Sequence, residues 1–391
     1  MSVPAGETVI VGGGQAGARL FALLRTAQPS MALKILCDEA TAPYERPPLS
    51  KTILEEGTLT PQWVNDVSIY RPEQSLCLGR AVRRIDRQNR LVVDRSGNEH
   101  RYDTLIIATG AGARRLPEPP AIPHHYLRDY SDAAALRETL GSARSVLVLG
   151  GGAIGTEIAA IAVRRGLAAT IVEAQGQLLS RSLHPALSER ILSTHVKNGV
   201  QVYLNRTIAE YVPSGVVLSD GTLVEADAMV VSIGVQPNDA IAREAGLETR
   251  NGILTGPGFV TSDPAIYAIG DVANYFEPFL GDWHRSESWD AANLQAEVAA
   301  AAILNRPLPA WRPPKFWTEQ FDDHYQFCGD LSRGAVLFES DNSTSFVAKI
   351  VHEDRLVGIC TRNAPRDFRR MCADVEMPRS RQSTEHGEQE R

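Results

Sequence analysis

Residues 9–17 read VIVGGGQAG, and this stretch decides the fold. A short β-branched run at 8–11 ends in glycines, and Ala16, Leu20, Leu23 and Leu24 follow at helical spacing. The order is strand, tight turn, helix. Gly12, Gly14 and Gly17 fit the G-x-G-x-x-G pattern: the first turns the chain, the second lets the backbone approach a pyrophosphate, and the third lets helix and strand pack. The helix N-terminus adds amide donors and the positive end of a dipole. A second strand is expected over 33–37, closed by Asp38 about 20 residues on, where a carboxylate can accept hydrogen bonds from an adenosine ribose.

The same order recurs in VLVLGGGAIGTE at 146–157, with Gly150, Gly152 and Gly155 in the pattern, a helix through Ile158 and Ile161, and a strand at 169–172. Two such starts in one chain imply two parallel-sheet nucleotide units. Glu173 closes the second unit's second strand. As a charged acceptor it suits the two ribose hydroxyls of NADH, whereas the 2′-phosphate of NADPH would face like charge with no arginine immediately after to receive it.

The bulk numbers agree with this picture. A length of 391 residues, 43% hydrophobic and 22% charged, allows two or three domains of about 150 residues each. A net charge of −7 argues against nucleic acid or an anionic membrane surface as partner. The cysteines, Cys37, Cys77, Cys328, Cys360 and Cys372, show no C-x-x-C spacing. They read as small buried hydrophobes in a reducing cytosol, with neither a disulfide framework nor a metal site. No basic, apolar leader precedes the first strand and no run approaches the roughly 20 apolar residues of a membrane span, so a cytoplasmic protein is expected.

Proline-rich stretches at 117–123 and 307–314 read as connections. After the second, alternating runs at 345–351 and 356–361 predict antiparallel strands in a small α+β unit. The stretch 378–391 is nearly all polar or charged and is expected to be disordered. Two further segments, TLIIATGA at 104–111 and TSDPAIYAIGD at 261–271, are short buried-strand runs ending in glycine; the second places Asp271 just past a strand, beside an expected helix start.

With these segments the sequence resembles the pyridine-nucleotide flavoprotein superfamily. PYERPPLSK at 43–51 narrows the resemblance to the ferredoxin reductases of bacterial oxygenase systems, especially those serving aromatic-ring dioxygenases. VVSIGVQPN at 230–238, ESW at 287–289 and FWTEQFDDHYQFCGD at 316–330 extend it to about Arg370. It implies an α/β fold: two Rossmann-like nucleotide-binding domains, for FAD and NAD, plus a small C-terminal α+β domain. The FAD domain would be discontinuous, 1–115 and 238–305, with the NAD domain at 116–237 and the C-terminal reductase domain at 306–377. Beyond Arg370 the sequence departs from the family, a polar tail standing in place of the expected short closing helix.

The resemblance also implies roles. Ala16, Asp38, Arg46, Lys51, Val82, Thr109, Gly110, Arg128, Asp271 and Trp289 fall where related reductases contact FAD. Ala153, Ile154, Glu157, Glu173, Gly234 and Glu287 fall where they contact or flank the nicotinamide nucleotide. The expected activity is NADH-dependent reduction of FAD, then delivery of single electrons to a two-iron iron-sulfur ferredoxin, of the Rieske type, that feeds an aromatic-ring-hydroxylating dioxygenase. Lys51, Glu157 and Trp317 are the catalytic candidates. A cation near the flavin N5 and O4 stabilises the charge that arrives with a hydride, a carboxylate such as Glu157 holds that cation, and an aromatic edge at Trp317 shields the isoalloxazine. Arg128, Trp283 and Arg285 are candidates for the partner face. Two alternatives stay open: a reductase for a rubredoxin or a cytochrome monooxygenase ferredoxin, and a redox sensor or scaffold of the apoptosis-inducing-factor kind.

Overall fold

The computed structural model describes residues 6–55, 60–70 and 75–377; the tail at 378–391 lies outside the described residues. Thr8–Val11 is the middle strand of a five-stranded parallel sheet ordered Ile266–Ala268, Thr104–Ile107, Thr8–Val11, Leu33–Leu36, Leu76–Cys77. All four of its residues are buried, which is why it reads as an unbroken apolar run instead of an alternating one. Val9 faces Leu105 on one side and Lys34 on the other. The helix Gln15–Ala27 packs against the helix Trp289–Ile303, whose alanines at 291, 292, 296, 299 and 300 are buried and allow close approach. Ile10, Leu20, Ile106 and Val298 thus share one core, each such buried aliphatic contributing roughly 1.5–3 kcal/mol.

A second parallel sheet is ordered Gln201–Leu204, Ala168–Glu173, Ser145–Leu149, Ala228–Val231, His124–His125. Because Ile266–Ala268 returns to the first sheet, the first unit is built from two chain segments and the second sheet lies between them in sequence. Two short antiparallel strands, Ala111–Ala113 and Val235–Pro237, pair where the chain leaves and re-enters. Residues 117–123 and 307–314 have no helix or strand.

The C-terminal unit is a five-stranded antiparallel sheet ordered Lys315–Gln320, Asp323–Gly329, Arg355–Arg362, Phe346–His352, Ala335–Asp341. Tyr325, Phe327 and Ile350 from this sheet share a core with Val148, Ile158 and Leu187 of the second unit.

Two expectations are corrected. The closing helix is present, as Pro365–Met371 followed by a short 3-10 turn at Cys372–Asp374. Phe368, Met371, Cys372 and Val375 pack on Cys328, Val347 and Ile359, so a few apolar positions sufficed where the surrounding polar residues concealed the element. And no helix follows Asp271 directly: Ala273–Glu277 is a strand hairpinned with Asp282–His284, and the helix beside this glycine turn begins at Trp289. That helix reaches it through Gln295, whose Oε1 accepts from the Gly270 N–H at 2.6 Å.

Candidate active site

The two glycine turns open on one continuous cleft of about 2170 Å³, well beyond the roughly 300–1,000 Å³ of a single small-ligand pocket. Each expected site residue lines it except Gly17 and Gly155, which lie beneath the turns. A Cβ on Gly17 would sit 2.2 Å from the Gly12 carbonyl oxygen, and one on Gly155 would sit 2.1 Å from that of Gly150. These two glycines are there for packing. Gly14 and Gly152 differ, because nothing lies within 4 Å of the Cβ direction of either.

At the first turn, a set of charges crosses the cleft wall. Glu39 Oε1 accepts from Arg46 at 2.7 Å and its Oε2 accepts from the Tyr44 hydroxyl at 2.5 Å. Arg46 also donates to the Arg128 carbonyl at 2.5 Å, and the Arg128 guanidinium reaches Asp271 Oδ2 at 3.0 Å. Burial disfavours the charge on Arg46, but Glu39, Tyr44 and Asp271 outweigh it and raise its pKa. Arg285 donates to the Asp271 carbonyl at 3.0 Å and to Glu287 at 2.6 Å. Its side chain is only 5% exposed, so it is a cleft strut and not part of a partner face. Trp283, at 42% exposure, does face outward.

At the second turn, Glu173 is fixed to the glycine loop: Oε2 accepts from the Gly151 N–H at 2.6 Å and Oε1 from the Gln175 N–H at 2.8 Å. Where the units meet, Lys51 follows a turn at Pro47–Ser50 and Glu157 stands in the first turns of the helix Ala153–Arg164. The Lys51 Nζ lies 2.8 Å from Glu157 Oε2. Glu157, 3% exposed, also accepts from the Ser50 hydroxyl and, at 2.7 Å, from Thr318. Trp317 meets Trp289 edge to face, with centroids 5.9 Å apart. The sequence reading brought Lys51, Glu157, Trp289 and Trp317 to one place but missed Glu39, Tyr44, Ser50 and Thr318. Two of these are legible in hindsight: Ser50 precedes Lys51 in the same motif, and Thr318 has the parity of a strand's inward face.

Two dinucleotides fit these residues. Gly14 and Gly152 leave open the space that a side chain would fill, at helix N-termini suited to pyrophosphate. Trp289 Nε1 and Gln15 Oε1 are buried polar atoms without a hydrogen-bond partner, which a ligand in this cleft can satisfy. Among the described residues, no group of three or more His, Cys, Asp or Glu is placed to hold a metal ion, and no helix is long and apolar enough to cross a membrane.

Comparison with known proteins agrees. Residues 6–296 match the model of the pyridine nucleotide-disulphide oxidoreductase family, and residues 315–382 match a reductase C-terminal domain. The chain belongs to this family. Among solved structures it is similar to putidaredoxin reductase in its covalent complex with putidaredoxin, at 29% identity and TM-score 0.89, covering 94% of this chain and 92% of that one. It is similar to the ferredoxin reductase of the CYP199A2 system from Rhodopseudomonas palustris, at 33% identity and TM-score 0.88, covering 95% and 96%. Fdr9 is also 33% identical, with TM-score 0.86 and coverage of 95% and 96%. The protein is therefore an FAD-containing oxidoreductase that binds NAD(H).

The two kinds of glycine should respond differently. Gly12 has φ +116° and its Cβ would lie 2.1 Å from the Ala108 carbonyl oxygen, so Gly12→Ala is expected to yield little folded protein. Gly14, at φ −76°, tolerates alanine: Gly14→Ala should stay within about 1 kcal/mol of the parent in urea melts yet lose FAD on gel filtration. Full retention of the flavin by Gly14→Ala would contradict the assigned cradle.

Proposed function

We propose that this enzyme is an NADH-dependent ferredoxin reductase. The observation that carries this reading is the Lys51–Glu157 ion pair set where two glycine cradles open on one cleft. Bound FAD would supply the conversion between the two-electron hydride of the nicotinamide and single-electron transfer. The chain's own residues do the rest. Residues 1–115 and 238–305 hold FAD, 116–237 hold NADH, and 306–377 form the reductase domain. Gly12, Gly14 and Asp38 take the FAD pyrophosphate and ribose; Arg46, Arg128 and Asp271 orient the remainder of that cofactor. Ala153, Ile154, Gly234 and Glu287 border the nicotinamide nucleotide, and Glu173 accepts its ribose hydroxyls. Lys51 supplies positive charge where negative charge arrives, and Glu157 fixes it. Among the described residues the one cysteine lining the cleft is Cys37, which is buried and whose thiol pKa is pushed up to about 12 by that burial. Dithiol chemistry is therefore a poor fit.

The electron acceptor is an iron-sulfur ferredoxin; one similar structure is a reductase joined to putidaredoxin and another is named a ferredoxin reductase. We infer that it is a Rieske-type two-iron protein serving an aromatic-ring dioxygenase; a cytochrome monooxygenase system is the second reading, favoured by the likeness to the CYP199A2 reductase. A cytoplasmic location suits cysteines such as Cys328 and Cys360, which are buried as small hydrophobes.

Stopped-flow reduction with NADH tests the core of this reading. Lys51→Met should keep its FAD but lose about a hundred-fold in reduction rate, and an unchanged rate would remove the electrostatic role. NADH should exceed NADPH in kcat/KM by at least about ten-fold, a factor of ten being roughly 1.4 kcal/mol of discrimination; equal values would show that Glu173 does not read the ribose. Trp317→Ala should depress ferredoxin-dependent turnover more than ferricyanide turnover, whereas equal losses would reduce Trp317 to packing.

A further inference from the structure

One buried carboxylate joins three parts of the chain. Glu157 belongs to the second unit, Ser50 and Lys51 to the first, and Thr318 to the strand Lys315–Gln320 of the C-terminal sheet. Oε2 takes Lys51 and Ser50. Oε1 takes the Thr318 hydroxyl at 2.7 Å and, at a longer 3.4 Å, the Glu319 backbone N–H. A carboxylate offers about four lone-pair directions, and all are used here at 3% exposure, where water is not at hand to replace a lost donor.

The Thr318 proton has a fixed destination. Gln320 Nε2 donates to Thr318 Oγ1 at 3.3 Å and to Thr156 Oγ1 at 2.9 Å. Thr156 in turn spends its own proton on the Ala153 and Gly152 carbonyls at 2.9 and 3.1 Å, so it is an acceptor toward Gln320 and the amide's orientation follows. With a donor already pointed at its oxygen, Thr318 gives its hydrogen to Glu157. Thr318, Gln320 and Thr156 are all fully buried. Strand alternation places Trp317, the residue immediately before Thr318, on the opposite side, lining the cleft against Trp289.

We propose that Thr318 is a positioning residue for NADH oxidation: its hydroxyl, backed by Gln320, orients Glu157 and through it Lys51, so that the C-terminal unit completes the hydride-receiving site. This rests on the role given above to Lys51 and Glu157. The strand that presents Trp317 to the cleft therefore also sets the charge pair at the nicotinamide, and one strand register serves both halves of the reaction.

The test is a double-mutant cycle on the holoenzyme, with Thr318→Val, Thr318→Ser, Glu157→Gln and the Thr318→Val/Glu157→Gln pair, read by stopped-flow flavin reduction and by thermal melting. Removing a hydrogen bond to a buried charged group should lower the limiting reduction rate by about ten- to a hundred-fold, with the Kd for NADH within about two-fold of the parent, as expected when binding is spared and an interaction specific to the reaction is lost. Thr318→Ser should restore the rate. In the Glu157→Gln background Thr318→Val should change neither rate nor Tm much further, because residues acting through one contact are not additive. Fully additive effects on both readouts, or a serine variant as slow as the valine one, would overturn the proposal. Should Thr318→Val fail to fold, Thr318→Ala enters the same cycle. A parent enzyme whose flavin NADH does not reduce would sink the functional reading itself; that failure is distinct, since the Tm coupling between Thr318 and Glu157 would persist.

Discussion

A carboxylate withdrawn from water is costly unless donors surround it, and breaking such a buried pair generally costs several kcal/mol. Glu157 meets that constraint with residues from all three units. None of the units could satisfy it alone. The first contributes a hydroxyl and an ammonium from the turn that follows its proline pair, the second contributes the acid on a helix whose N-terminus faces the cleft, and the third contributes a hydroxyl from a strand edge. The arrangement fixes where the units touch, and by doing so fixes where two bound nucleotides would face each other.

The cleft owes its two ends to one repeated device. In both parallel sheets the chain leaves the strand through a glycine at positive φ, Gly12 at +116° and Gly150 at +105°, and enters a helix whose first turn is open in front. The third glycine of each set lies under the carbonyl of the first. Such turns offer amide groups to a pyrophosphate at the carboxyl ends of the strands, the usual place for ligands in open parallel sheets. Between these ends the walls are polar and tied to each other: Glu39 to Arg46, Arg128 to Asp271, Arg285 to Glu287. They form a charge-paired lining. The tryptophan pair Trp289 and Trp317 closes the side where the first and C-terminal units adjoin.

Much of this was legible in the residues. The glycine spacings, the acids at 38 and 173 and the continuous apolar runs announced two parallel-sheet units, because backbone sterics and strand burial leave a direct imprint on sequence. Lys51 was legible through the motif around it. What escaped were contacts between residue types that are unremarkable in sequence: Thr318 with Glu157 across 161 positions, and Glu39 with Tyr44 and Arg46, five and seven positions away. Two errors had physical causes as well. The closing helix Pro365–Met371 was hidden because one amphipathic turn among charged residues looks like tail, and its stability comes from Phe368 and Met371 meeting a sheet. The partner-face reading of Arg285 failed because an arginine's position in sequence says nothing of whether its guanidinium turns inward to a carbonyl.

By itself, then, the sequence determined the class of fold and its two glycine turns, since both depend on local rules of turn geometry and periodicity. The tertiary structure alone decided which polar groups share a proton or a charge. Hydrogen bonds and ion pairs act over about 3 Å, and only the packing of three separately built units brings Ser50, Lys51, Glu157 and Thr318 within that distance.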